Sequence, residues 1–345
     1  SKDLKYGRDY RLGTMFQWTP YAGAGILDTA WFNASASALE EETGTAINVE
    51  VVDAAGSQTT QNEQVKSLIE KGCDVICVNL VDRTEPTTIT DMAEKNDVPI
   101  IFFNRELVAE DLERWEKLYY VGADAFGSGI IEGELAAETF QSDPKYDKNG
   151  DGICQYVVLE GEAGHQDAIV RTEYSVNTLV EKGVKAEKLG YAIANWKRAQ
   201  AQTKMTTLLE QYGERIELIL ANNDDMALGA IDALKVSELP KDEWPIIVGI
   251  DGTDVGLGAI KNGEMAGTAY NDKEGQAEAM LKLAFVLSEK DPDSGLTLED
   301  IPLQDEKYVR MPYYRVTLDN VEEYVEWSKK KPDGVGTTEN TEITE

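Results

Sequence analysis

Between Asp147 and Gln155 the chain reads Asp-Lys-Asn-Gly-Asp-Gly-Ile-Cys-Gln. Side-chain oxygens fall at Asp147, Asn149, Asp151 and Gln155, and a glycine falls at Gly152. Alternate residues of a tightly turning loop point the same way, so these four, with the backbone carbonyl of Ile153, can converge on one point. An all-oxygen set suits a hard cation, and the spacing is that of the opening of an EF-hand loop, whose ion is Ca²⁺. Where that loop ends in a bidentate Glu, this chain has Val158, inside the apolar run Tyr156-Val157-Val158-Leu159. Such a run reads as a strand, not as the exit helix of a calcium switch. The loop is therefore expected to hold a structural calcium, with its missing carboxylate supplied from elsewhere. The same residues would also make a polar turn without an ion; Gln155, on register after the glycine, favours the ion.

A second constellation is Gly161-Glu162-Ala163-Gly164-His165-Gln166-Asp167-Ala168-Ile169-Val170-Arg171. It follows a strand pattern and opens a helix pattern. Asp167 and Arg171 are four apart and share a helix face. A carboxylate accepts and a guanidinium donates in a fixed fork, which suits vicinal hydroxyls that each give and take a hydrogen bond. The plainer reading is a surface ion pair. His165, the one histidine in the chain, has no nucleophile paired with it. Trp196 follows another strand pattern and offers either ordinary core or a flat face for sugar C–H groups. Several strand patterns end in a short polar residue: Asn104 after Phe103, Asn222 and Asn223 after Ala221, Asp251 after Ile250, Asn271 after Tyr270. Each alone reads as a helix N-cap. Four across both halves point to a ligand cleft, since open α/β sheets bind ligands beyond the carboxyl ends of their strands.

The elements that must position these residues alternate from end to end. Strands are expected at 11–18, 47–52, 75–80, 100–103, 119–122, 155–159, 188–194, 216–221, 246–250 and 265–270. Helices are expected at 30–42, 58–70, ending at 91–96, 130–140, 166–181, 199–212, 226–234, 255–261 and 275–287. Short apolar segments broken by Pro312 fill 307–316. This repeated βαβ rhythm predicts an α/β fold with parallel sheets and right-handed crossovers, in two doubly wound lobes. The chain has 345 residues, a length that favours two domains over one.

Composition narrows the function. The formal charge is −31, which argues against nucleic acid or an anionic membrane as partner. No apolar run approaches the roughly 18 residues of a membrane span. The polar start at Ser1 is as expected either of a secreted chain trimmed of its leader or of a chain cut for recombinant expression. The three cysteines, Cys73, Cys77 and Cys154, show neither a disulfide framework nor metal spacing and are expected to be buried free thiols. A dinucleotide or nucleotide enzyme lacks its Gly-x-Gly-x-x-Gly after the first strand and its Walker motif, and no catalytic triad is visible. A repressor would need a helix-turn-helix and a basic surface.

From about Arg11 to Glu326 the chain resembles the calcium-containing, hexose-binding members of the pulse-type, or type I, periplasmic sugar-binding family, which serve ABC importers and chemoreceptors. The resemblance rests on Gln61-Asn62-Glu63-Gln64, Val78-Asn79-Leu80-Val81-Asp82, Phe102-Phe103-Asn104-Arg105-Glu106, Tyr119-Tyr120-Val121-Gly122, the calcium loop, Gly164-His165-Gln166-Asp167, Ala221-Asn222-Asn223-Asp224 and Gly267-Thr268-Ala269-Tyr270-Asn271-Asp272. It implies two Rossmann-like lobes joined by three hinge crossovers. Their expected extents are 1–123 plus 271–306 and 124–270 plus 307–330, with 331–345 a disordered acidic tail. It implies sugar ligands at Asn104, His165, Asp167, Arg171, Asn223, Asp251 and Asn271, with Trp196 stacking, and it places the detached calcium carboxylate at Glu217. The first loop, Gln17 to Leu27, departs from the family by its length. Asp28 and Trp31 are the best equivalents of the family's acid and aromatic there; Phe32, Trp18 and Tyr21 are alternatives for the aromatic. The implied protein is not an enzyme but an extracytoplasmic monomer, periplasmic or lipid-anchored outside a Gram-positive membrane. It would bind one hexose, D-glucose or D-galactose, for the membrane subunits of an ABC transporter, with a chemoreceptor as further partner. A pentose or a furanose signal is the alternative ligand.

Overall fold

The computed structural model describes residues 10–15, 29–289 and 292–329. Two six-stranded sheets organise them. The first runs, edge to edge, β2 (Ile47–Val52), β1 (Tyr10–Met15), β3 (Val75–Val78), β4 (Ile100–Phe103), β5 (Leu118–Ala123) and β11 (Tyr308–Met311). All its pairings are parallel. The second repeats the order with β7 (Lys185–Ile193), β6 (Ile153–Glu160), β8 (Leu218–Ala221), β9 (Ile246–Asp251), β10 (Gly267–Asn271) and β12 (Tyr313–Thr317). Here β12 runs antiparallel to β10. The inner strands β3, β4, β8, β9 and β10 are buried throughout, which is why β3, β4 and β8 read as unbroken apolar runs.

Helices cover both faces of each sheet, and the period of two along the strands decides which core each residue joins. Val75, Cys77, Ile101, Phe103, Tyr119 and Val121 face α1 (Thr29–Thr43) and α10 (Lys273–Leu287). Ile76, Val78, Ile100, Phe102, Leu118 and Tyr120 face α2 (Gln58–Glu70) and α3 (Thr87–Asn96). In the second lobe Val157, Leu159, Ile219, Ala221 and Ile247 pack under α7 (Arg198–Tyr212), α8 (Asp224–Lys235) and α9 (Asp254–Lys261). Cys154, Tyr156, Val158, Leu218, Leu220, Ile246 and Val248 pack under α5 (Ala125–Ser142) and α6 (Gln166–Glu181). Cys73, Cys77 and Cys154 are buried and free.

The chain passes between sheets three times: at Asp124 between β5 and α5, at Asn271–Asp272 between β10 and α10, and at Pro312 between β11 and β12. The Asp124 amide donates to the Met311 carbonyl at 2.9 Å, so the first and third crossings are tied together. This corrects the expected boundary between 306 and 307. Residues 308–311 belong to the first sheet, because β11 pairs with β5 before the chain turns at Pro312. A short α4 (Ala109–Leu112) and a last helix α11 (Val321–Lys329) were not anticipated; α11 packs Tyr324 and Val325 onto the second core. The tail 331–345 lies outside the described residues.

Candidate functional site

The polar residues singled out in the sequence gather where strands end. Arg171, 4% exposed, is their centre. Its Nη1 donates to the Asn222 carbonyl at 2.7 Å and its Nη2 to the Tyr313 hydroxyl at 2.7 Å. Asp167 Oδ2 stands 3.3 Å from Nη2, and Asp251 Oδ1 stands 3.6 Å from Nη1. The expected Asp167–Arg171 pair is thus present, but Asn222 and Tyr313 hold the guanidinium more closely. Tyr313 was hidden in the segment that Pro312 interrupts. Asn222 positions in turn: its Oδ1 accepts from the Gly161 amide at 3.1 Å and its Nδ2 donates to the Thr172 hydroxyl at 3.1 Å.

Trp196 sits against this centre. Its ring lies 5.7 Å from the Arg171 guanidinium and 5.1 Å, edge to face, from His165. A Cβ on Gly161 would fall 2.2 Å from the indole, so the glycine is what lets the ring settle there. Trp196 takes a left-handed φ of 63° and Asp251 a φ of 119°. Such backbone is strained for side-chain-bearing residues and persists where the surroundings over-determine it. His165 caps α6, its Nδ1 accepting from the Asp167 amide at 3.1 Å. The ring proton then belongs on Nε2. Burial also lowers the His165 pKa below its ordinary value, so the ring is neutral and offers one N–H. Asn223 caps α8 through Oδ1, 2.9 Å from the Met226 amide. Asn271 Oδ1 accepts from Gln276 at 2.5 Å.

Charge at the site is dominated by burial. Burial pushes Asp251 up to about 8 against the pull of Arg171, with Asp224, Asp225 and Asp167 adding like-charge repulsion. Burial lifts Asp224 to about 7, although Thr268 and Thr253 hydrogen-bond to it. Burial opposes the charge of Arg171, but Tyr313, Asp167 and Asp251 outweigh it and raise its pKa. One buried cation thus faces Asp167 and a largely protonated Asp251, an arrangement that suits an uncharged ligand rich in hydroxyls.

From the other lobe, Asn104 follows β4 with φ 61°, and its carbonyl accepts from the Tyr120 hydroxyl at 3.0 Å. The next residue, Arg105, reaches across to Glu162 at 2.8 Å, an ion pair between the lobes. Asp28, Trp18 and Tyr21 lie outside the described residues. Trp31 lies on α1, and its side chain is not described. Phe32 is removed as a stacking candidate, because it is fully buried in the first-lobe core.

The loop at Asp147 closes on itself. Gly152 has φ 74°, and its amide donates to Asp147 Oδ2 at 2.9 Å. The Asp151 amide donates to Asp147 Oδ1 at 3.1 Å and Asn149 Oδ1 at 2.9 Å. Gln155 Nε2 meets Asp151 Oδ2 at 3.0 Å. Glu217, just before β8, has its Oε1 on the Lys148 amide at 2.6 Å and its Oε2 on the Gln155 amide at 2.9 Å. The carboxylate sought from elsewhere in the chain is therefore at the loop. Among the described residues, no three His, Cys, Asp or Glu side chains form a group able to hold a metal by themselves. Any cation here would draw on the carboxamides of Asn149 and Gln155 and the Ile153 carbonyl as well.

The model of the periplasmic binding protein domain family matches residues 25–291. The chain belongs to this family. Among its members, the D-galactose/methyl-galactoside binding periplasmic protein MglB of Haemophilus influenzae is 38% identical over 79% of this chain and 81% of its own length. The xylitol-binding protein of Mycolicibacterium smegmatis is 31% identical over 89% and 80%. An ABC transporter solute binding protein from Bacillus halodurans, solved with myo-inositol, superposes with a TM-score of 0.70 at 28% identity, over 92% of this chain and 97% of that one. That solved structure shares the two-lobed α/β architecture described above. No helix among the described residues is long and apolar enough to cross a membrane.

Proposed function

We propose that this periplasmic binding protein captures one neutral hexose, D-galactose or D-glucose, between its lobes outside the cytoplasm and delivers it to an ABC importer. The observation that carries this reading is the buried Arg171 set between Asp167 and Asp251 and against the Trp196 ring. Arg171 and His165 Nε2 donate, Asp167 and Asp251 accept, and together they match ring hydroxyls that do both. Trp196 offers the sugar C–H face its apolar partner. Asn104 adds a contact from the opposite lobe, so a bound ring favours the closed form by bridging both. The protein acts by binding and not by catalysis. The 38% identity to a galactose-binding relative supports the hexose. The likeness to a xylitol-binding protein supports a second reading, a pentose or another small polyol in the same cleft. A furanose signal belongs with that second reading.

The loop at Asp147 is proposed to hold Ca²⁺. Its donors are all oxygens, Gly152 makes the tight turn, and Glu217 supplies the extra carboxylate. Asp147, Asn149, Asp151, Gln155, Glu217 and the Ile153 carbonyl would hold the ion. Calcium there neutralises neighbouring carboxylates and fastens the loop to the start of β8. A chemoreceptor is proposed as a further partner on the resemblance alone.

Isothermal titration of the protein against galactose, glucose, ribose, xylose, xylitol and myo-inositol tests the ligand. Tightest 1:1 binding of galactose or glucose is expected. Tighter binding of a pentose or polyol replaces the first reading by the second. No heat with any of the six refutes the cleft as a sugar site.

A further inference from the structure

Behind the Arg171 cluster is an acid that the binding reading does not use. Glu132, on α5, is 0% exposed. Neither of its carboxyl oxygens has a hydrogen bond of good geometry, the Ala221 backbone and the Ser175 hydroxyl being its nearest donors, and on the facing helix α6 the Nε of Arg171 has no partner. The two helices are pressed together at this level. A Cβ on Gly129 would stand 3.2 Å from the Arg171 carbonyl oxygen, and one on Gly133 would stand 2.4 Å from that of Ser175. Glu132 falls between these two glycines and is enclosed with Arg171. Packing does not account for an acid here, because an apolar side chain would fill the helix interface without desolvating a carboxyl.

The groups around Glu132 come from three elements. Arg171 and Ser175 face it from α6, the Ala221 backbone from the end of β8, and Asp224 from α8. Burial holds its carboxyl well above the ordinary carboxylate range; Arg171 is the largest opposing influence, ahead of Ala221 and Ser175, while Asp224 adds repulsion. Beyond Arg171 stand Asp167, Asp251 and Tyr313.

We propose that Glu132 is a positioning residue of the binding site: its carboxyl stands behind the Arg171 guanidinium and sets the direction in which that group is presented to the ligand. A neutral Glu132 leaves Arg171 to Asn222, Tyr313 and the cleft acids. An ionised Glu132 competes for the guanidinium and draws it toward α5. Ligand affinity should then decline as pH rises. The part of this inference that concerns affinity rests on the sugar-binding reading; the part that concerns Arg171 does not.

Two variants, Glu132→Gln and Glu132→Leu, and two readouts test it. The first readout is the ¹⁵Nε resonance of Arg171 in the sugar-free protein, followed from acidic to alkaline pH. A high-pH step beyond the one that Asp251 gives near 8 is expected in the native protein and absent in Glu132→Gln. The second is titration with galactose and glucose across the same range. Glu132→Leu should bind about tenfold more weakly, the loss expected when the guanidinium is no longer held in its direction toward the ligand. Glu132→Gln should restore the acidic-pH affinity and flatten the pH profile. If the Gln variant reproduces the native Arg171 resonance at every pH, the inference is overturned, even where Glu132→Leu fails to fold. If native protein binds neither sugar, the hexose reading falls and the resonance still decides the role of Glu132.

Discussion

Replacing Glu217 with alanine should cost the second lobe about as much as any single polar change in the molecule. The side chain is 1% exposed. Its two oxygens receive the Lys148 and Gln155 amides at 2.6 and 2.9 Å. Each is a bond to a charged acceptor, worth roughly 1.5–3 kcal/mol. The Gln155 amide is buried, so no water replaces the lost partner. Against this, burial raises the Glu217 pKa, and the charges of Asp147 and Asp151 raise it further. Removing the carboxylate relieves that repulsion, an offset of about 1 kcal/mol for charges near a protein surface. A net loss of roughly 3 kcal/mol remains. At about 2–4 °C per kcal/mol for domains of this size, the melting temperature should fall by roughly 10 °C. Glu217→Gln should not rescue it, because the carboxamide N–H₂ would face a backbone donor. Scanning calorimetry with added calcium and with EGTA provides the assay. Chelation should lower the native transition and leave that of Glu217→Ala nearly unmoved. A drop below about 2 °C in the variant would refute the staple, and a native transition indifferent to calcium would refute the ion.

Three further outcomes follow from the cleft. Trp196→Ala should weaken galactose binding by about two orders of magnitude, the burial of one sugar face, with little change in melting temperature; unchanged calorimetric affinity would remove Trp196 from the site. Arg105→Ala and Glu162→Ala should each weaken binding about twofold to fivefold, the range of a part-exposed ion pair, with the double variant no worse than either single and the effect fading at high salt; additive losses would exclude an interlobe latch. Asp251 titrates near 4 when unfolded and is pushed up to about 8 by burial in the folded chain. The folded state therefore holds an extra proton between these values, and stability should decline as pH rises through that window. Asp251→Asn should flatten that decline while weakening sugar binding; a decline that persists would assign it to other groups, Asp224 first.

Much of the scaffold is legible in the apolar periodicity of its strands and helices. Ile47–Val52, Gln58–Glu70, Ile100–Phe103 and Gln166–Glu181 begin and end where their patterns do. Patterns failed where a side chain or a distant strand sets the boundary. Helix α5 starts at Ala125, five positions before the expected Ile130, because Asp124 caps it through the Phe126 amide and glycines mask its apolar face. The strand expected to reach Leu80 stops at Val78, where the Asn79 carbonyl turns to accept from Gln61 at 2.7 Å. The third crossing is expected several residues too early because Pro312 breaks the apolar pattern without revealing which half joins which sheet. Tyr313 and Glu132 escaped notice for a related reason: their meaning lies in Arg171, and no spacing in the sequence brings them to it.

The cleft residues also show why capping and ligand binding were hard to tell apart. His165 and Asn223 are caps, and the cap commits Nδ1 of one and Oδ1 of the other to a helix amide. Each is left with an N–H donor to offer. Asn271 likewise commits its Oδ1, to Gln276. The helix starts thus convert ambivalent side chains into oriented donors, while Asp167 and Asp251 remain to accept. A ligand that only donates, such as an ammonium, would meet mostly donors, and one that only accepts would meet the carboxyl oxygens of Asp167 and Asp251. A ring of hydroxyls satisfies both, so the capping that obscured these residues in the sequence supports the choice of a sugar in the structure.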